Sequence, residues 1–63
     1  MKKVWYWYET KRKLWLVRIT YPHWSSGKPV QQLYTFYNDE KGIKSLEKSL
    51  NRFYTKGYKL SNN

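Results

Sequence analysis

The chain is predicted to be a single small α+β domain, residues 1–63, in which a three-stranded antiparallel sheet packs on one C-terminal helix in the order β-β-β-α. Three observations carry that expectation. Residues 14–21, L-W-L-V-R-I-T-Y, alternate with a period of two and are rich in β-branched and aromatic side chains, as a pleated, packed strand requires. Aromatic runs poor in Gly and Pro lie on either side of them, at 3–9 and 30–37. A final segment, 39–56, repeats apolar residues at helical spacing.

The first strand is K-V-W-Y-W-Y-E, followed by the polar turn E-T-K-R-K at 9–13. Turn length decides which side chains face the core, because a slip of one residue exchanges the faces. A three-residue turn sets Trp5 and Trp7 beside Val17 and Trp15 and leaves Tyr6 and Tyr8 outside with Leu16 and Arg18. A two-residue turn does the reverse. The first is expected, since indoles bury more apolar area.

Within 14–21, Trp15, Val17, Ile19 and Tyr21 form a face apolar enough for a core, so this is the central strand. Residues 22–29, P-H-W-S-S-G-K-P, read as a loop turning at Ser26-Gly27. Trp24 is expected to fold back over an edge of the core, because an exposed tryptophan is costly. The third strand, V-Q-Q-L-Y-T-F-Y, alternates imperfectly and does not reveal its buried set.

Asn38 or Asp39 can cap the helix, with acidic residues in its first turn. Ile43, Leu46, Leu50, Phe53 and Tyr54 share one arc, while Lys44, Lys48, Arg52 and Lys56 run down the other side. Gly57 is the expected stop. Residues 58–63 read as a tail in which Tyr58 and Leu60 add a contact and Ser61 to Asn63 fray.

Composition narrows the chemistry. Thirteen Lys/Arg against four Asp/Glu give a net charge of +9, a field that attracts polyanions. With no cysteine and one histidine, disulfides and a protein zinc site are excluded, and no metal or other cofactor is expected. Four scattered carboxylates, one histidine and three isolated glycines supply neither an acid–base pair nor a phosphate loop, so an enzyme is not expected. No stretch approaches a membrane span, and the basic start M-K-K-V-W-Y-W-Y is too short in apolar residues for a signal peptide. The chain is expected in the cytoplasm, with no membrane partner.

Binding is the better-supported chemistry. A sheet face that the helix cannot cover leaves aromatic area in water, which marks an interaction site. Such a face can enter the major groove of double-stranded DNA. Lys11, Arg12 and Lys13 on the hairpin turn and Lys28 on the long loop would clamp phosphates. Tyr6, Tyr8, Leu16, Thr20, His23, Gln31 and Thr35 complete the expected contact surface. Arg18 is the candidate reader, since a guanidinium takes guanine O6 and N7 together. The structural alternative for Arg18 is a cross-strand pair with Glu9 or a cation–π contact with Trp5.

These residues suggest a family. W-L-V-R-I-T-Y (15–21), the Gly27-Lys28 loop, a third strand carrying Phe36 and a helix opening with acidic residues resemble the arm-type DNA-binding domain of phage and transposon integrases (tyrosine recombinases). The plant ethylene-response-factor domain is similar. The resemblance spans about residues 13–50. It implies a sheet in the major groove, with Arg18 and its outward neighbours on bases. The chain departs from the family in carrying no catalytic domain after it, as a free-standing protein or an excised domain would, so a recombinase activity is not expected. Two other partners fit the composition. Exposed aromatic residues could stack single-stranded nucleic acid. Alternatively, a phage or plasmid protein could dock on a host protein through its aromatic face, as inhibitor or adaptor, with charge speeding encounter.

Overall fold

The alternating stretch 14–21 does form the centre of a sheet. In the computed structural model, which describes residues 2–61, β1 (Lys3–Glu9), β2 (Leu14–Pro22) and β3 (Pro29–Tyr37) are antiparallel neighbours, with β2 between the other two. The helix α1 (Glu40–Thr55) follows, and then a strand that the tail was not expected to make, β4 (Lys59–Leu60). It lies parallel to β1, so the sheet has four strands, is mixed, and runs β3-β2-β1-β4. The three-stranded antiparallel unit is its larger part.

The tail is therefore pinned. Lys59 N donates to Lys2 O at 3.1 Å and Ser61 N to Val4 O at 2.8 Å, so Ser61 is held in place and does not fray. The expected fraying of Asn62 and Asn63 lies outside the described residues.

Register overturns the expected faces of β1. Glu9 pairs with Leu14, which makes the connection four residues long, and its last residue, Lys13, adopts φ 55°. An even-numbered connection sets Tyr6 opposite Val17 and Tyr8 opposite Trp15, and it sets Trp5 opposite Arg18 and Trp7 opposite Leu16. Opposed residues share a face, so the tyrosines stand on the helix side and the tryptophans on the other. Burial does not penalise this choice. Tyr8 and Trp15 reach Asn38, whose Nδ2 donates to the Tyr8 hydroxyl at 3.4 Å while Trp15 Nε1 donates to its Oδ1 at 3.0 Å. On β3 the same pairing turns Val30, Gln32, Tyr34 and Phe36 toward the helix and Gln31, Leu33, Thr35 and Tyr37 away from it.

The main core is small and aliphatic. Val4, Val17 and Ile19 from the sheet meet Leu46 and Leu50 from the helix, and Trp15, Tyr21, Phe36, Phe53 and Tyr58 pack around them. Leu46, Leu50 and Phe53 occupy the expected arc, but Ile43 and Tyr54 at its ends are exposed.

Asp39 caps the helix by accepting from Gly42 N at 2.6 Å. At the other end Gly57, at φ 93°, turns the chain out. Its N–H donates to Tyr54 O and that of Tyr58 to Phe53 O, both at 3.0 Å, which is the Schellman arrangement. This closure sends β4 back to the β1 edge.

Candidate nucleic-acid interface

The face turned away from the helix carries Lys3, Trp5, Trp7 and Glu9 from β1, Leu14, Leu16, Arg18 and Thr20 from β2, and Gln31, Leu33, Thr35 and Tyr37 from β3. No element of the described structure roofs it. Its centre is nonetheless built. Leu16, at 2% exposure, lies in register between Trp7 and Thr35. The Trp5 and Trp7 rings meet at 4.9 Å with a 41° tilt, and the Arg18 guanidinium lies over both, 4.4 Å from the Trp5 centroid and 5.8 Å from that of Trp7. Leu33 and Tyr37 stand out on β3, 55% and 73% exposed.

Of the expected contact residues, Leu16, Arg18, Thr20, Gln31 and Thr35 lie on this face, but Leu16 is covered and serves as its floor. Tyr6 and Tyr8 do not lie there, because the register places them on the helix side, where Tyr6 lies 6.3 Å and Tyr8 5.2 Å from the Trp15 ring. Residues not anticipated here are Lys3, Trp5, Trp7, Leu33 and Tyr37. One signal could have found the tryptophans. An Arg18–Trp5 contact is possible only when both share a face, and that excludes the register with the tryptophans inside.

The cations gather at the two ends of the face. Lys11, Arg12 and Lys13 lie in the β1–β2 connection; Lys28 lies in the β2–β3 loop, beyond the end where Lys3 pairs with Thr20. Arg12 is not free, since its Nε and Nη2 donate to Glu9 Oε1 and Oε2 at 2.6 and 2.8 Å. That pair holds the Glu9 carboxyl below the usual carboxylate range, chiefly through the Arg12 hydrogen bond. It persists at neutral pH and is lost as pH falls through Glu9's depressed value. Replacing Glu9→Gln should release Arg12 and remove one negative charge. Affinity for DNA should then rise several-fold, with a salt slope steeper by about 0.9 as one more phosphate is neutralised; unchanged affinity in a titration would remove Arg12 from the clamp.

The β2–β3 loop is ordered by its own histidine. His23 Nδ1 accepts from Ser25 N at 3.2 Å and Ser26 N at 3.4 Å, with Ser25 Oγ at 2.9 Å, and Gly27 N donates to His23 O at 3.0 Å. His23 therefore has a local role in the loop. Trp24 does not fold back over the core. It is 92% exposed and stacks only on His23, with ring centroids 5.7 Å apart, because the hydrogen-bonded turn carries it outward.

Among the described residues no helix is long and apolar enough to cross a membrane, and no cluster of His, Asp or Glu could hold a metal ion. What the geometry defines is a small mixed sheet with one helix and one open, aromatic and cationic face. Comparison with protein-family models, curated proteins and solved structures found no match to this chain.

Proposed function

We propose that the chain is a small DNA-binding module that lays the open face of its sheet in the major groove of duplex DNA. The observation that carries this reading is a set of unused donors. Among the described residues, the side chains of Arg18, Thr20, Gln31 and Thr35 have no hydrogen-bond or ion-pair partner, although all four lie on the open face. Among the described residues the only carboxylate there, Glu9, is paired with Arg12. Size agrees: three strands at about 4.8 Å spacing span roughly 10 Å, against a groove about 12 Å wide. Lengthwise, nine residues of β2 run about 30 Å, or about nine base-pair steps, with cations beyond both ends. The resemblance of residues 13–50 to the arm-type integrase domain supports the same placement, and a DNA target fits a cytoplasmic protein.

A second reading, single-stranded nucleic acid, is favoured by one specific feature. Trp5, Trp7 and Tyr37 put aromatic rings on the open face, where bases can stack. Titration of duplex and single strand of one sequence at two salt concentrations separates the readings. If Lys3, Lys11, Lys13 and Lys28 each neutralise a phosphate, duplex affinity should fall about 10²-fold between 50 and 200 mM salt. Tighter binding of the single strand would favour the second reading. Salt-independent binding of a protein partner, with no affinity for either nucleic acid, would replace both with docking on a host protein.

A further inference from the structure

The corner of the open face beside β4 is hollow. A cavity of about 150 Å³ is lined there by Lys3, Trp5, Arg18, Thr20, Gln31 and Ser61. Val4 completes the lining, and its carbonyl accepts the Ser61 N–H that holds β4 in place. The returning tail closes one side of the pocket with Ser61.

We propose that this cavity is a binding site for a phosphate group. The lining residues supply an ammonium, a guanidinium, two hydroxyls and a carboxamide, and no carboxylate. None of these side chains spends its donors elsewhere among the described residues. Arg18 is moreover held in place. Its guanidinium lies over the Trp5 ring, 4.4 Å from the centroid, a contact that restrains the group without spending a hydrogen bond on it. Donors without acceptors select an anion, and a tetrahedral oxyanion uses several directions of approach at once. Glu9 stands at the other end of β1, about 20 Å from Lys3 along the strand, and is already paired, while Asp39, Glu40 and Glu47 belong to the helix and its cap. Among the described residues, Lys3 and Arg18 thus act with little opposing charge.

The site deepens the DNA reading by giving Arg18 a backbone phosphate at this corner in place of a guanine edge, but it also stands as a site for a free phosphate ester. The test titrates the full chain with inorganic phosphate, ionic strength held constant with chloride, while amide and indole N–H resonances are followed. Saturable shifts are expected at Thr20, Gln31, Ser61 and the Trp5 indole. Lys3→Ala, at an exposed position, should weaken phosphate binding about tenfold, the loss of one charge-assisted hydrogen bond, without lowering thermal stability. Ser61→Ala should weaken it less. Equal shifts with chloride alone, or undiminished binding in Lys3→Ala, overturn the proposal. A duplex that displaces phosphate identifies the DNA backbone as the source. Phosphate that binds and is not displaced leaves the pocket standing for a free phosphate ester and counts against the duplex reading. A duplex that binds a chain showing no saturable phosphate shift sinks the pocket and spares the duplex reading.

Discussion

Gly42→Ala should unfold this protein or remove most of its stability, although the same change inside a helix ordinarily gains about 1 kcal/mol. Only two residues separate the end of β3 from the start of the helix, so its first turn folds back on the last residue of that strand. A Cβ at Gly42 would lie 1.9 Å from Tyr37 O and 2.7 Å from Tyr37 C, both backbone atoms that no rotamer can move. It would also crowd Asp39 Oδ1, at 3.0 Å, which is the atom accepting the capping bond from Gly42 N. To admit the methyl group the helix must lift from the sheet, which exposes Leu46 and Leu50 together. An expected loss of about 3 kcal/mol or more compares with a total near 3–9 kcal/mol for a chain of this length. Urea unfolding followed by circular dichroism measures it. Glu47→Ala, on the exposed side of the same helix, should change stability by no more than about 0.5 kcal/mol. A neutral or stabilising Gly42→Ala would show that helix and strand do not meet there.

Leu16→Ala should be the second severe change, and it reports on the face proposed for binding. Leu16 is nearly inaccessible yet lies outside the cluster formed with the helix. Its cover comes from neighbours on the open face, with Trp7 and Thr35 opposite it and Arg18 next along its own side of β2. Truncation should cost about 2–3 kcal/mol, the low end of the range for leucine because the half-exposed rim can settle into the gap. In a domain of this size that lowers Tm by about 10–20 °C. Settling of Trp7 into the gap should shift the tryptophan emission to the blue and, by disturbing the face, weaken DNA binding at temperatures where the variant is still folded. A loss below about 1 kcal/mol would mean that the tryptophans do not keep water from Leu16. The open face would then be no rigid platform.

Much of this architecture was legible in the chain. The alternation over 14–21 marks the central strand because two-residue periodicity survives any choice of partner. The Leu46–Leu50–Phe53 arc, the Asp39 cap and the Gly57 stop are local patterns, and each appears where spacing and backbone preference put it. The functional face was only half visible. Arg18 and Thr20 lie opposite the evident apolar face of β2, but Gln31 and Thr35 join them only through the pairing of β3 with β2, and V-W-Y-W-Y in β1 offers aromatic residues to both sides and discriminates neither. Its orientation hung on the conformation of one connection, ending in Lys13 at a positive φ. The two residues of β4 are too few for any period, and Trp24 was misjudged because its loop is organised by hydrogen bonds to a single histidine.

By itself, then, the sequence determined the number of long elements, their order, the face that β2 and the helix present to each other, and the surplus of positive charge. These follow from periodicity, capping chemistry and composition, which act within one segment at a time. Tertiary structure alone decided that tryptophans rather than tyrosines flank Arg18, that the tail becomes a fourth strand, and that a donor-lined hollow opens beside it. Each of those depends on strand pairing, where the backbone hydrogen bonds of β1 and β4 are satisfied in one register and a shift of a single residue would exchange both faces at once.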